Sequence, residues 1–317
     1  MLKYSIKRFG QLVVIMLLIS FFSFAVIYFA PGDASSLYIS PDMTEEQKTA
    51  IIADLGLNQG MLQQYIGWAK RAIQGDFGIS LANKTPVTPQ LLNKLPATLL
   101  LMGSSLVLSV VLAVPLGLIA GRTKNSILDN LISGIAYVGM SLPSFAFGML
   151  LIIVFTARLR LLPSSGMRTG GVNSTIDLIR HMIMPCLTLS MANLARYIRY
   201  IRANAIGQLS EEYVLTAKAK GTSDLKILFH HVLKNTLLPI ITLLGMDIAT
   251  LVCGSFIVET VFGWPGVGMT VMSAINARDY PVIMAYVMLS GLILVVGNFA
   301  ADILYAVVDP RIRRGME

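Results

Sequence analysis

Glu211-Glu212-Tyr213-Val214-Leu215-Thr216-Ala217-Lys218-Ala219-Lys220-Gly221, continued by Thr222-Ser223-Asp224, is a polar stretch inside an otherwise very apolar chain. Read as a helix, it carries carboxylates at its start and Lys218 and Lys220 at its end, each sign matched to the helix dipole. Gly221 can take the left-handed position that closes a helix, and Ser223 or Asp224 can cap the next one. The run that follows carries Leu225, Leu228, Phe229, Val232 and Leu233 at helical spacing. This predicts a stripe packed on apolar neighbours, with Lys226, His230 and Lys234 turned to water or head groups. Small residues at Ala217, Ala219 and Gly221 let another backbone come close. The shape suits the groove of a second protein; a plain amphipathic helix lying in a membrane interface fits the spacing as well.

Outward from this hinge the chain is built for a bilayer. Hydrophobic residues make up 55% of it, charged residues 13%, and mean hydropathy is +0.70. A soluble domain cannot hide that much apolar surface, and the apolar runs are long enough to cross. The reading is an all-α membrane protein with six spans: Phe9–Ala30, Ala97–Ala120, Leu131–Ala157, Ile183–Ile201, Thr236–Val258 and Val282–Val308. Each satisfies its backbone polar groups within its own helix, as hydrocarbon requires. The first run is longer than a secretory h-region, so it is expected to stay as a helix. Fifteen of the 25 Lys and Arg residues fall on one set of connections, which puts both termini in the cytoplasm. That sidedness accounts for the net charge of +8, and nucleic acid is not needed to explain it. The chain then divides into residues 1–30 (tail and first span), 31–96 (an external cap) and 97–317 (a five-helix core with the hinge at 204–235).

In the cap, Pro41-Asp42-Met43-Thr44-Glu45-Glu46 reads as a helix start with Thr44 as its cap, and Gly56 as a stop. A second helix, from about Met61 to Ile73, carries Met61, Tyr65, Trp68, Ala69 and Ala72 on one side. Gly75-Asp76-Phe77-Gly78 reads as a turn. Pro115, Pro143, Pro185 and Pro239 fall in or near spans two to five and are expected to bend or break them. Cys186 and Cys253 read as buried thiols.

Motifs along the chain resemble a known family. Glu212-Tyr213-Val214, Thr216-Ala217-Lys218-Ala219-Lys220-Gly221, His231, Leu233-Lys234-Asn235 and Leu238-Pro239 resemble the coupling signature of binding-protein-dependent ABC importer permeases, in the oligopeptide/dipeptide/nickel branch. So do Val258-Glu259-Thr260-Val261-Phe262-Gly263-Trp264-Pro265-Gly266-Val267-Gly268, Arg278-Asp279-Tyr280-Pro281-Val282 and Asp309-Pro310-Arg311-Ile312. Pro31-Gly32-Asp33, Gly75-Asp76-Phe77-Gly78-Ile79-Ser80 and Leu95-Pro96-Ala97-Thr98 extend the likeness to the first third. The broader signature has Ile-x-Leu-Pro about ten residues past the glycine; here His231 stands there, a departure that agrees with the peptide branch. The resemblance implies a type I importer permease fold and a pore completed by a second homologous permease. It also implies two cytoplasmic ATPases that bind the ATP and Mg, and an external binding protein that delivers a short peptide. It places ATPase coupling on Glu212, Tyr213, Ala217, Ala219 and Gly221, with His231 and Asn235 bracing the hinge. A bacterial plasma membrane follows, with nickel or a metal chelate as the alternative cargo.

The chain holds no G-x-x-x-x-G-K-[ST] loop, no H-E-x-x-H and no G-x-S-x-G, so no nucleotide, metalloprotease or hydrolase chemistry is expected of it. An ion-coupled carrier needs intramembrane carboxylates, and Asp247 and Asp302 qualify. Asp247, beside Met246, either faces the translocation path or pairs with Arg196 or Arg199. Trp264 either touches cargo at the rim of that path or anchors a rigid turn. Met182, Met184, Cys186, Met246, Asp247 and Cys253 are the residue types a metal could visit.

Overall fold

The computed structural model describes residues 2–29, 43–54, 59–249 and 256–308. Its helices run in chain order as α1 (Leu2–Tyr28), α2 (Glu45–Asp54), α3 (Met61–Ile73), α4 (Val87–Arg122), α5 (Ile127–Ser141) and α6 (Ser144–Leu151). They continue as α7 (Thr175–Leu209), α8 (Glu212–Ala219), α9 (Asp224–Lys226), α10 (Leu233–Ala249), α11 (Phe256–Val261), α12 (Val267–Asn276) and α13 (Tyr280–Val308). Wide π turns prolong α6 over Ile152–Arg158 and join α9 to α10 over Ile227–Val232. Among the described residues the only strand-like pairing is an isolated bridge between Ile79 and Pro86.

Among the described residues four helices are long and apolar enough to cross a bilayer: Gly10–Tyr28, Val87–Arg122, Thr175–Leu209 and Tyr280–Phe299. A fifth crossing exists if α5 and the α6 segment count as one, although they meet at 107°. The span expected over Leu131–Ala157 is therefore broken at Pro143, one of the two outcomes expected of that proline. Leu142 is forced extended by the proline after it (φ −81°, ψ 127°), and Pro143 has no N–H to continue the ladder. Pro115, Pro185 and Pro239 lie inside continuous helices, so only one of the four prolines expected to bend its span breaks it. The span expected over Thr236–Val258 begins as α10, and residues 250–255 within it lie outside the described residues. So do Pro31-Gly32-Asp33, Pro41-Asp42, Gly56, Cys253, Asp309-Pro310-Arg311-Ile312 and the side chains of Leu238, Pro239, Met246 and Asp302. α7 is 35 residues, about 52 Å at 1.5 Å per residue, so it overshoots a hydrocarbon core of about 30 Å.

The chain forms two compact units, one from residues 1–96 and 270–296, the other from 97–269 and 297–315. In the first, Thr44 caps the start of α2 as expected, and Gln47 reaches back to the Thr44 N–H to complete a capping box. α3 lies on α1 through the face expected of it: Tyr65 is edge-on to Phe21 (5.4 Å) and Phe24 (5.6 Å), and Trp68 sits 6.0 Å from Phe24. The Tyr65 hydroxyl shares a 2.8 Å hydrogen bond with Ser20. Beyond α3 the turn 79–86 is tied down by Asp279, whose buried carboxylate accepts from the Ser80 hydroxyl and from the N–H groups of Leu81 and Ala82.

In the second unit α7 is the central helix, touched by α5, α6, α10 and α11. Glycine makes these approaches close. A Cβ built on Gly117 would lie 2.6 Å from the Ile201 Cβ, and one on Gly121 would lie 2.7 Å from the Ala205 Cβ. The four-residue spacing of Gly117 and Gly121 puts a backbone-wide groove on α4, the close-packing device common in membrane helices. One step further along, the Ser109 hydroxyl donates to the Ser190 carbonyl at 3.1 Å.

Candidate functional site

The hinge forms where α7 runs out of the bundle. α7 stops at Ser210, and Glu211 turns the backbone extended to start α8. Val214 is fully buried and Ala217 is 9% exposed, so α8 turns its inner side to the 227–232 turn and joins one buried cluster with Ile227, Leu228 and Val232. The end is closed as the sequence suggested: Gly221 has φ +74°, its N–H reaches the Lys218 carbonyl, and the Thr222 N–H reaches Ala217. Ser223 occupies the next cap position without a side-chain bond, and Asp224 meets Arg122 at the end of α4 at 3.3 Å.

The expected stripe is corrected. Ile227, Leu228 and Val232 are buried, whereas Leu225 is 59% and Phe229 47% exposed. The cause is the π turn: its i→i+5 bonding brings residues 227 and 232 to the same side and carries Leu225 and Phe229 off it. Leu215 on α8 is likewise open, at 63%. Glu212, Ala219 and Gly221 are exposed, whereas Ala217 faces the chain's own core and Tyr213 is half-buried, donating to Gln208 at 2.9 Å. His231 is half-buried, edge-on to His230 at 5.1 Å, and Asn235 is exposed.

Two ion pairs brace the helices behind the hinge. Asp129 on α5, 1% exposed, takes a forked bond from Arg202 on α7 at 2.5 and 2.7 Å. Deeper in, Asp247 on α10 accepts from Arg196 at 2.6 Å and from the Tyr197 hydroxyl. Of the two readings of Asp247, this geometry supports pairing, with Arg196 rather than Arg199. Sequence reasoning missed the Asp129–Arg202 pair, although an Asp in an apolar helix was the same signal that singled out Asp247.

Trp264 is fully buried against Leu101 and Cys186, and its indole N–H donates to the Ala97 carbonyl at 2.9 Å. It anchors a turn whose other fastening is Glu259, a wholly buried carboxylate that the sequence reading quoted only inside a motif. Glu259 accepts from the Thr98 hydroxyl at 2.8 Å and from the Met269 N–H at 2.9 Å, while the Val267 N–H donates to Thr98 at 2.9 Å. The first turn of α12 thus finds its orphan donors satisfied from elsewhere in the chain. Gly266 and Gly268 are needed there, because a Cβ on either would fall within 2.8 Å of the Glu259 carboxylate. Met182 and Cys186 pack with Leu101 and Trp264, and Met184 packs with Val258 and Phe262.

Comparison with known proteins matches these features to a family. A family model described as "Binding-protein-dependent transport system inner membrane component" matches residues 113–314, and a model of the N-terminal part of such components matches residues 1–102. The oligopeptide transport system permease protein AppB of Bacillus subtilis is 39% identical over 314 residues, covering 98% of this chain and 99% of its own. The glutathione transport system permease protein GsiC of Escherichia coli K12 is 36% identical over 313 residues, 99% of each chain. Hinge, buried ties and crossing helices all fall within the matched residues, and the chain belongs to the family of binding-protein-dependent transport system inner membrane components.

Proposed function

We propose that this chain is one pore-forming subunit of an ATP-driven importer of short peptides in a bacterial plasma membrane, crossing six times with both termini cytoplasmic. The observation that carries the reading is the hinge: a capped, seated elbow that leaves Leu215, Leu225 and Phe229 open, together with Glu212 and Gly221. Large apolar side chains left open on a polar segment mark a surface that another protein covers. Two cytoplasmic ATPases are that protein, and they supply the ATP and Mg chemistry. A second homologous permease completes the pore, and an external binding protein delivers cargo. ATP binding draws the ATPases together; the elbow passes that motion through Asp224–Arg122 and Asp129–Arg202 to α4, α5 and α7, which rock as rigid bodies. Peptide is supported as cargo by relatives named for oligopeptide and glutathione transport.

The test is purification of the assembled complex into proteoliposomes. Two ATPase subunits should co-purify and peptide should accumulate only with ATP and the binding protein; a chain that purifies without an ATPase partner, or uptake indifferent to ATP, overturns the reading. Within that complex, Asp247→Asn strips Arg196 of its carboxylate. The cost is about 1–2 kcal/mol, less than for a sealed pair because the Arg196 side chain is 37% exposed. Thermal unfolding should show the loss, and uptake of cationic and neutral peptides should fall by the same factor. A selective loss of cationic cargo would instead make Asp247 a cargo contact.

A further inference from the structure

α7 differs from the other long helices in what it leaves uncovered. The exposed side chains of α5 include Leu131, Ile135 and Val138; of α4, Val107 and Val111; of α13, Leu292 and Val296; of α1, Leu17, Phe22 and Val26. Lipid tails solvate all of these. The C-terminal half of α7 instead leaves open Ala192, Arg199, Tyr200, Ala203 and Gly207, with Arg196 partly exposed beside them. Steps of seven, eight, eleven and fifteen residues from Ala192 keep these on one side of a helix. α7 is also the least apolar of the four helices that can cross. Charged and hydrogen-bonding groups on an open helix side call for water or protein, because hydrocarbon cannot satisfy them. The open side of α7 is therefore a wall that faces water or protein.

The charges on that wall are unevenly compensated. Arg196, Arg199 and Arg202 occupy successive turns of α7. The first is matched by Asp247 at 2.6 Å and the third by the Asp129 fork. Between them, Arg199 has no carboxylate within ion-pairing distance among the described residues. Its guanidinium rests 5.7 Å from the centre of the Tyr137 ring, with Nη1 3.4 Å from the Met140 sulfur. Stacking on tyrosine orients the fork, and apart from the Nη1 donor on Met140 its N–H groups have no hydrogen-bond partner among the described residues.

We propose that Arg199 is a transit station for the carboxylate terminus of the peptide cargo. The proposal rests on the peptide-import reading above and adds the cargo group this chain recognises. A linear peptide with a free C-terminus carries one carboxylate, whose two oxygens match the two parallel N–H donors of a guanidinium. A single uncompensated cation between two neutralised neighbours offers one charge for that one group. Its exposure keeps the contact weak, so the peptide can leave again, as a transit site requires.

The assembled transporter, with its ATPases and loaded binding protein in proteoliposomes, tests this with trialanine and trialanine amide. Each peptide's uptake is scored as variant relative to wild type, so any preference of the unaltered binding protein cancels. Arg199→Gln should cut trialanine uptake about tenfold and leave the amide near the wild-type rate, and Arg199→Lys, which keeps charge but not the fork, should fall between. Equal loss for both peptides overturns the proposal, as does unchanged uptake of the free acid. A loss shared by both peptides that tracks the phosphatidylglycerol content of the vesicles assigns Arg199 to a lipid head group. Loss of the second permease on purification assigns it to a subunit contact; both outcomes overturn the proposal. Should the Gln variant fail to accumulate, the Lys variant carries the test: its acid-to-amide ratio must drop, and an unchanged ratio overturns the idea. If the wild type moves neither peptide, the peptide reading has failed, a result distinct from any variant's.

Discussion

Leucine in place of Gly121 is expected to prevent the transporter from assembling. A Cβ there would lie 2.7 Å from the Ala205 Cβ and 3.1 Å from the Arg202 carbonyl oxygen, both fixed parts of α7. Neither neighbour is the end of a flexible side chain, so α4 has to withdraw. Withdrawal also pulls Gly117 off Ile201 and lengthens the Ser109–Ser190 bond, which is already 3.1 Å. Overpacking a close helix contact by this much costs about 3 kcal/mol or more, a large share of the stability of most domains. In detergent the Gly121→Leu complex should run as aggregate on size exclusion, and Gly121→Ala should assemble with a lowered melting point. Gly134, on α5, has open space where a side chain would go, so Gly134→Leu is the tolerated control. A wild-type melting point for Gly121→Leu would show that α4 and α7 do not meet this closely.

The second large effect is functional. Glu212→Arg combined with Gly221→Arg should reduce ATP-driven uptake by more than tenfold while the permease still folds. Neither site packs inward: Glu212 is exposed and nothing lies within 4 Å of where a Gly221 side chain would begin. The folding penalty is the left-handed backbone at Gly221, about 1–2 kcal/mol for a residue with a Cβ. The coupling penalty is larger, because a carboxylate beside a flat glycine surface becomes two long cations where a partner must seat. Stable expression with lost ATPase co-purification is the expected pattern. Uptake at the wild-type rate in the double variant would mean that nothing grips the elbow.

Much of this was legible in the sequence because local rules decided it. The Thr44 box, the Met61–Ile73 face and the Gly221 closure each depend on residues within a turn or two of one another. The hinge stripe was misread at Leu225 and Phe229 because a π turn shifts the period without changing composition. Pro143 broke its span, and Pro115 and Pro185 did not, since a neighbour's support inside a bundle cannot be read from a proline alone. Arg202 and Asp129 stand 73 residues apart, and Glu259 and Thr98 stand 161 apart; no local pattern announces such partners. The Gly117–Gly121 groove carried a visible spacing signal, but what fills it is decided only by α7.

The two long-range ties have a bearing on how the protein is made. Thr98 leaves the ribosome 161 residues before Glu259, and Ser80 leaves 199 residues before Asp279. At about 5–20 residues per second, these donors wait on the order of ten seconds or more for their acceptors. Until then the early helices must be held by the insertion machinery or by one another. The last quarter of the chain, once translated, fastens the earlier part into place, so a nascent chain stalled before Glu259 should remain open to protease across residues 80–98.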